Sequence, residues 1–566
     1  MLSRRLALLL CLGLLVPGCN SSSAPPKREN TAVTSSPDDT FSAPSSIAFR
    51  DATQTLGVDW TYRNGEEAGN FSIVESMGGG LALCDFDQDG RLDLVAAGGG
   101  SFPRPREIAG LPIGLFRQTP AGQFEDVSQP ATLAGSTHYN HGIAAGDYDN
   151  DGFPDIAVTG FGGISLFRNL GDGTFQREDL WRDLFSGGWS ITAGWGDVNR
   201  DGHPDLVVVH YADWSFDNDP PCPGPASHPR DVCPPRRFRG LADQLFLSDG
   251  QGGFREVGRE AGLRSERKGI GLAIADLDLD GDLDVYVAND TEPNDFYRND
   301  GRGHFDEIGL PSGVALSADG NADGSMGVDV GDLNGDGLPD IWVTNFERET
   351  FALYQNLGGC QFQHVSRIVG VSSLPGTYVG WGTVLLDADG DGDEDLFVTN
   401  GHVVRFPTHS PVRQLPLLLE NREGERFRNV ADTVGPYFRE PHPGRGVAVG
   451  DIDGDGDPDL AVSHVNEPIA MLLNESPEWR GIALRLIGRS SPRQRVGPVV
   501  RLTVGTRTVV QQLKCAASYA STSSDTLFFG RGRDAAARLE IDWPSGTKQI
   551  LETIPDGPLL TIIEPR

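Results

Sequence analysis

The sequence predicts an all-β protein: a seven-bladed β-propeller closed by an N-terminal strand, followed by a small β-rich, sandwich-like domain. Three observations predict it. A nine-residue phrase, Asp-x-[Asp/Asn]-x-Asp-Gly-x-x-Asp, occurs seven times, beginning at Asp85, Asp147, Asp197, Asp276, Asp332, Asp387 and Asp451. Each copy runs into an apolar, strand-like stretch such as Leu94-Val95, Ile156-Ala157-Val158 or Val285-Tyr286-Val287. A Phe-x-x-Val-like segment recurs at Phe124, Phe254, Phe305, Phe362 and Phe427, with a weaker copy at Phe175. Four short strands per repeat, at intervals of roughly 50 to 80 residues, describe the blade of a propeller.

Taken from the start, residues 1–18 read as a signal peptide. Arg4 and Arg5 precede an apolar stretch, Leu6 to Val16, that is too short to span a bilayer. It ends in Val16-Pro17-Gly18-Cys19, which resembles a bacterial lipobox with Cys19 as the lipidated residue; plain secretion is the alternative. Residues 19–46 are rich in Ser, Thr and Pro and read as a flexible tether. The mature chain is expected outside the cytoplasm, tied to a membrane only by lipid, as a monomer. Cys222 and Cys233 bracket a Pro-rich stretch and are expected to form a disulfide, which suits that compartment. Cys84, Cys360 and Cys515 read as single buried thiols, and no Cys-x-x-Cys pair indicates zinc or redox chemistry.

The propeller is expected over residues 47–475. Upstream of each acidic phrase lies a small, Gly-rich strand such as Gly142–Gly146 or Gly446–Gly450. Downstream come the apolar strand, a third strand such as Leu353–Asn356, and the Phe segment. A seventh Phe segment, Phe49-Arg50-Asp51-Ala52, stands before the first phrase, whereas only two strands follow the seventh. The N-terminal segment therefore supplies the missing outer strand of blade 7 and removes an open sheet edge.

The phrase itself presents carboxylates at positions 1, 3, 5 and 9 of a tight turn, with glycine at position 6. A hard cation with six to eight oxygen ligands needs such an arrangement. An EF-hand loop starts alike but closes with Glu at position 12 and runs into helices. A solvated acidic turn would explain one copy but not seven. Thirty of the 80 acidic residues lie in these phrases, and seven divalent ions, carrying +14, would leave −19 of the formal charge of −33. That charge argues against nucleic acid as a partner.

The loops and their flanking strands resemble FG-GAP (VCBS) repeats, the unit of integrin α-subunit propellers and of many secreted bacterial proteins. In such repeats the side chains at positions 1, 3, 5 and 9 and the carbonyl of position 7 bind calcium. The resemblance thus implies up to seven calcium ions. The first loop would use Asp85, Asp87, Asp89, Asp93 and the Arg91 carbonyl; the second Asp147, Asp149, Asp151, Asp155 and that of Phe153. The third would use Asp197, Asn199, Asp201, Asp205 and the carbonyl of His203; the fourth Asp276, Asp278, Asp280, Asp284 and that of Asp282. The fifth has Asp332, Asn334, Asp336, Asp340 and Leu338; the sixth Asp387, Asp389, Asp391, Asp395 and Asp393; the seventh Asp451, Asp453, Asp455, Asp459 and Asp457. Loops with Asn at position 3 lack one anionic ligand and are expected to bind more weakly.

In residues 476–566 the phrase is gone and strand-like runs continue, at Ile482–Ile487, Val499–Val504, Thr508–Leu513, Leu527–Phe529, Leu539–Trp543 and Leu559–Ile563. Arg485-Leu486-Ile487-Gly488, Phe528-Phe529-Gly530 and Trp543-Pro544-Ser545-Gly546 resemble the ASPIC/UnbV domain that follows such propellers in proteins similar to cartilage acidic protein. The usual Gly-Gly-x-Tyr-x-Ser segment is here Ala517-Ser518-Tyr519-Ala520-Ser521, a departure that puts a binding role of that turn in doubt. Trp543 to Gly546 reads as a strand end entering a hairpin turn.

No Gly-x-Ser-x-Gly elbow, His-Glu-x-x-His, Walker loop or Rossmann fingerprint occurs. His138-x-x-His141 offers two imidazoles without an identifiable third ligand. Two functions stand: a calcium-binding, non-catalytic scaffold for a protein or glycan partner, which is preferred, and an extracellular polysaccharide-degrading lyase or hydrolase working in a propeller cleft. In an up-and-down blade the acidic loop and the turn between strands three and four share one face. The connections between strands two and three emerge on the other, and two are long, Tyr211–Asp243 and His402–Pro416. Long loops on a rigid scaffold favour recognition, so Trp214, His402 and Arg405 are the expected partner contacts.

Overall fold

The computed structural model describes residues 45–566 except 136–137, 179–183, 226, 478, 492–496, 515, 533–536 and 556. The expected signal peptide, Cys19, nearly all of the tether and Cys515 lie outside the described residues. No helix among the described residues is long and apolar enough to cross a membrane.

Seven antiparallel blades form a ring. Their innermost strands are Leu81–Cys84, Tyr139–Gly146, Ser186–Gly196, Gly269–Ala275, Val328–Gly331, Gly380–Leu386 and Gly444–Gly450. Each packs on the next, and the last returns to the first. These strands are buried on both faces, which explains their small residues: a Cβ on Gly142 would meet Ile191 O of the next inner strand at 2.6 Å, one on Gly327 Trp381 O at 1.9 Å, one on Gly271 Met326 O at 2.1 Å, and one on Gly446 Ser521 Oγ at 2.3 Å and Gly79 O at 2.6 Å. Blade 7 is composite as expected. Phe49–Asp51 pairs with Ala470–Asn474 in the register Phe49↔Asn474, Arg50↔Leu473, Asp51↔Leu472. The ring starts slightly before its expected boundary, since the Ser46 hydroxyl donates to Asp389 Oδ2 (2.9 Å) and that of Ser45 to Glu420 Oε1 (3.3 Å).

Blades 2 and 3 depart from the pattern. The run Asp155–Asn169 is continuous strand, yet Asn169 N donates to Asp155 Oδ1 at 2.8 Å, so the run folds back on itself. The reversal falls at Gly162 and Gly163, with φ of 108° and 124°, which glycine adopts at little cost. Trp189 pairs with Phe161 and joins the two blades into one sheet.

Behind the ring, Gly481–Ile487, Thr526–Gly530 and Leu559–Ile563 form one sheet, and Val499–Val504, Arg507–Gln512, Ala537–Asp542 and Lys548–Leu551 another. Both share a core of Leu484, Leu486, Val500, Leu502, Phe529, Leu539, Ile541 and Trp543. The strand Lys548–Leu551, missed in the sequence, completes the hairpin opened by Trp543–Gly546. This domain does not hang free. Its segment 516–524 enters the ring and bonds to inner strands: Leu83 N to Thr522 O (3.1 Å), Ile143 N to Ala520 O (3.0 Å), Ser518 N to Val328 O (2.6 Å), Ser524 N to Val449 O (2.9 Å). Tyr519, fully buried, accepts from Gly78 N at 2.7 Å and stands edge-on to Trp381. The altered turn whose binding role the sequence left in doubt therefore binds the propeller itself.

Candidate metal sites

All seven acidic loops repeat one hydrogen-bond lattice. The position-1 carboxylate accepts from the glycine N–H at position 6, from Gly90 to Asp85 (3.0 Å) through to Gly456 to Asp451 (3.1 Å). Position 5 accepts from the N–H at position 7, as in Phe153 to Asp151 (2.9 Å) and Leu338 to Asp336 (3.0 Å). Position 9 uses both oxygens. One takes the N–H of position 2, as in Leu277 to Asp284 (3.1 Å), and the other the N–H at the end of strand three, as in Asn299 to Asp284 (2.8 Å). The same double acceptance holds for Asp93, Asp155, Asp205, Asp340, Asp395 and Asp459. Positions 1, 5 and 9 are thus fixed by backbone before any ion arrives.

The lattice leaves oxygens over. Asp85 Oδ1, Asp87 Oδ1, Asp147 Oδ1 and Asp457 Oδ1 are buried with no hydrogen-bond partner among the described residues. Oxygens of Asp85, Asp87 and Asp93, of Asp147, Asp149 and Asp155, of Asp276, Asp278 and Asp284, and of Asp387, Asp389 and Asp391 lie within 4.8 Å of one another. Burial, then mutual repulsion, raises these carboxyls above their ordinary 3.8: Asp93, Asp205 and Asp340 to about 8, Asp147 and Asp276 to about 7, Asp197, Asp332 and Asp451 to about 6. Converging, desolvated carboxylates with unused lone pairs fit a hard divalent cation, which would remove the repulsion. In the Asn loops, Asn199 Nδ2 donates to Asp201 Oδ2 (3.0 Å) and Asn334 Nδ2 to Asp336 Oδ2 (2.8 Å), so an internal donor tempers one carboxylate.

A second device, unseen in the sequence, joins the loops into a circle. The amide at the end of strand three reaches the position-2 carbonyl of the preceding blade: Asn169 to Phe86 (2.9 Å), Asn299 to Val198 (2.7 Å), Asn356 to Leu277 (2.9 Å), Asn421 to Leu333 (2.9 Å), Asn474 to Ala388 (3.0 Å). Gln118 closes the seam by reaching Ile452 (2.6 Å). Only blade 3, with Ser248, breaks the series, and there the backbone joins blades 2 and 3 instead. The recurring Asn at the end of strand three was the available signal.

The C-terminal domain lies on this loop face. Gln512 brackets Asp276 through its backbone N–H and carbonyl (2.8 and 2.7 Å), Trp479 Nε1 donates to Asp387 O (3.1 Å), and Arg507 pairs with Asp393.

On the opposite face the expected partner contacts are packed to different degrees. Trp214 is 3% exposed, edge-on to Phe161 and Phe216, and His402 is 5% exposed, edge-on to Phe346. Arg405 is held by Glu66 and by Glu75 at 2.6 Å. Trp214 and His402 face inward and Arg405 is half-buried, because the two long connections pack on each other. Asp231 accepts the N–H groups of Arg405 (2.9 Å) and Phe406 (3.1 Å), and His228 stacks on Phe406 at 3.5 Å. The Cys222–Cys233 disulfide braces this cap. His141 is likewise no ligand: fully buried, it accepts from Trp189 Nε1 at 2.8 Å.

Comparison with known proteins agrees with the repeat. Residues 85–158, 147–208, 276–343 and 332–398 match the FG-GAP-like repeat family, 443–463 the FG-GAP repeat, and 488–566 the family described as ASPIC and UnbV. Cartilage acidic protein 1 of Mus musculus is 24% identical over 514 residues, covering 86% of this chain and 73% of that protein. Integrin alpha-7 of Rattus norvegicus is 33% identical over 153 residues, 25% of this chain and 13% of the integrin. Among solved structures, an Agrocybe aegerita lectin that recognises non-reducing terminal N-acetylglucosamine aligns with a TM-score of 0.40 at 18% identity, over 64% of this chain and 88% of that one.

Proposed function

Because the chain carries FG-GAP-like repeats and an ASPIC and UnbV domain, we propose that it is a calcium-stiffened, non-catalytic scaffold outside the cytoplasm that presents a partner-binding surface to a protein or glycan. The observation that carries this reading is the sevenfold loop lattice, in which carboxylate oxygens converge within 4.8 Å of one another in the loops that begin at Asp85, Asp147, Asp276 and Asp387. The calcium ions would be held by the side chains at positions 1, 3, 5 and 9 and would supply charge neutralisation. The chain's own part is to hold those oxygens in place through the backbone and to pass the order from blade to blade through the Asn latches.

The filled channel supports the non-catalytic reading. A propeller enzyme works in its central cleft, whereas here Tyr62, Tyr139, Trp189, Trp381, Arg445 and Tyr519 are all buried there. The disulfide and the relation to cartilage acidic protein 1 support an oxidising location, with the lipid anchor at Cys19 proposed on the lipobox alone. Binding then falls to the outer surface of the cap built by the two long connections, where Arg236, Arg237 and Arg239 are exposed.

The test is thermal unfolding and a glycan-array and pull-down screen, each with calcium and with EGTA. Extracellular calcium modules bind at ~10⁻⁴–10⁻³ M. At about ten times the dissociation constant each site adds roughly 1.4 kcal/mol, so seven sites rival the stability of a whole domain. The expected result is a Tm lower by tens of degrees in EGTA and calcium-dependent capture of a partner. An unchanged melting curve would overturn the calcium reading, and turnover of a polysaccharide the non-catalytic one.

A further inference from the structure

Blade 7 carries a cluster that the acidic loops do not explain. Its second strand, Asp459–His464, begins at position 9 of its loop and ends about 17 Å away at His464. There His464 meets His442 and Glu467, with one potential ligand atom from each within 4.8 Å of the others. Two segments of chain bring them together, one carrying His442 and the other His464 and Glu467, three residues apart. His442 sits between Pro441 and Pro443 and is tied to the neighbouring blade by two backbone bonds with Gln414, both 2.8 Å. Glu467 follows Asn466, whose φ of 57° turns the chain between strands two and three.

Each side chain is prepared for a metal in a different way. His464 Nδ1 lies 2.6 Å from the Pro468 carbonyl, which fixes the proton on Nδ1 and leaves the lone pair on Nε2. A ligating histidine typically makes this second-shell bond. That lone pair now faces the Tyr437 hydroxyl at 2.8 Å, which an ion would have to displace. His442 Nε2 is buried and has no hydrogen-bond partner among the described residues. Glu467 is oriented by an ion pair of its Oε1 with Arg413, and its Oε2 lies 3.4 Å from His442 Nδ1. Beside the cluster opens a cavity of about 500 Å³, lined further by Asp51, Thr53, Asp59 and Ile469.

We propose that His442, His464 and Glu467 form a second kind of metal site, for a borderline divalent transition ion of the zinc class, at the end of blade 7 opposite its acidic loop. Two imidazoles and one carboxylate suit such an ion and are poor ligands for calcium, which takes oxygen. Three protein ligands leave a coordination position open towards the cavity, where water or a small ligand fits.

The test is zinc titration of the full chain in millimolar calcium, which occupies the acidic loops, followed by calorimetry and by the visible spectrum after cobalt substitution. Wild type is expected to take up one equivalent, to gain Tm on zinc addition, and to give a low-coordinate cobalt spectrum. His442→Ala and Glu467→Gln, both on partly exposed side chains, are expected to keep the zinc-free Tm and lose at least about tenfold in affinity. Absence of zinc binding to wild type in calcium overturns the proposal. So does binding that is equally tight in both variants, which would place the ion elsewhere. Where one variant loses zinc-free Tm, the other decides.

Discussion

The seven carboxylates at position 9 look in the sequence like the last calcium ligand, but each is first a clamp on two backbone N–H groups. Asp340 accepts from Leu333 N (3.2 Å) and Asn356 N (2.8 Å) and is buried, whereas Asp336 at position 5 of the same loop is exposed. Removing an acceptor from a buried donor costs about 1–3 kcal/mol per group. Asp340→Ala is therefore expected to cost about 2–6 kcal/mol even in EGTA, and Asp336→Ala under about 1 kcal/mol, measured by urea unfolding. Equal losses would mean that position 9 acts only through calcium. The raised carboxyls also set a pH dependence. A group whose folded pKa lies above its unfolded value adds stability below the unfolded pKa, near 4, and that stability is lost as pH rises through the folded one. With Asp93, Asp205 and Asp340 near 8 and Asp147 and Asp276 near 7, the calcium-free protein should lose Tm between pH 6.5 and 8. Below pH 6.5 buried histidines held neutral pull the other way, His141 at about 3 and His464 at about 4 with His210 and His402 also lowered by burial. Calcium needs the ionised carboxylates, so with calcium present the same pH rise should leave Tm level or raise it. A Tm in EGTA that rises from pH 6.5 to 8 would contradict this.

At the scale of elements, the closing strand is the sharpest case. Phe49–Asp51 is only three residues long, yet it covers the edge of Ala470–Asn474, and Phe49 packs on Phe438 at 5.8 Å. A chain truncated to begin at Ser45 should melt as the longer one does, whereas one begun at Thr53 should melt lower and aggregate through the exposed edge. Equal melting of the two, compared side by side, would show that closure does not depend on this strand. The strand was legible because its Phe-x-x-Ala pattern was out of place in the count of repeats. The acidic loops were legible because a hard cation demands a fixed spacing of oxygens along a short stretch of chain. The His442, His464 and Glu467 cluster was not, since His442 comes from a separate segment and His464 and Glu467, three residues apart where strands two and three connect, form no metal motif by themselves. The packing of the expected partner contacts was illegible for a related reason: Trp214 and Arg405 lie in long connections, and whether such a connection exposes or buries an aromatic depends on what it packs against, here the other connection.

For the whole molecule, the propeller and the C-terminal domain behave as one body because segment 516–524 fills the ring. A seven-bladed ring leaves an axial channel, and this one is lined by the buried faces of Trp189, Trp381 and Tyr139. Such apolar walls favour being covered over being wetted. From one side the channel is closed by Tyr62, Ile73, Val74 and Met77, and from the other by Tyr519 and Ala520, all in one core cluster. Tyr519 binds Gly78 N, where the two closures meet. The sequence reading set a boundary at residue 476 and gave no sign that segment 516–524 packs inside the ring, because a plug is invisible to any pattern that reads one domain at a time. Replacing Tyr519 by Ala removes a large buried side chain, for which a loss of about 3–5 kcal/mol is expected, and frees the Gly78 N–H. The variant should melt lower as a single transition, because the ring and the domain lose the same support together. Deleting residues 476–566 should go further, leaving a ring that binds a hydrophobic dye through its open channel. A truncated ring as stable as the full chain and free of dye would show that the channel closes without the plug, and that the C-terminal domain is a passenger on the loop face.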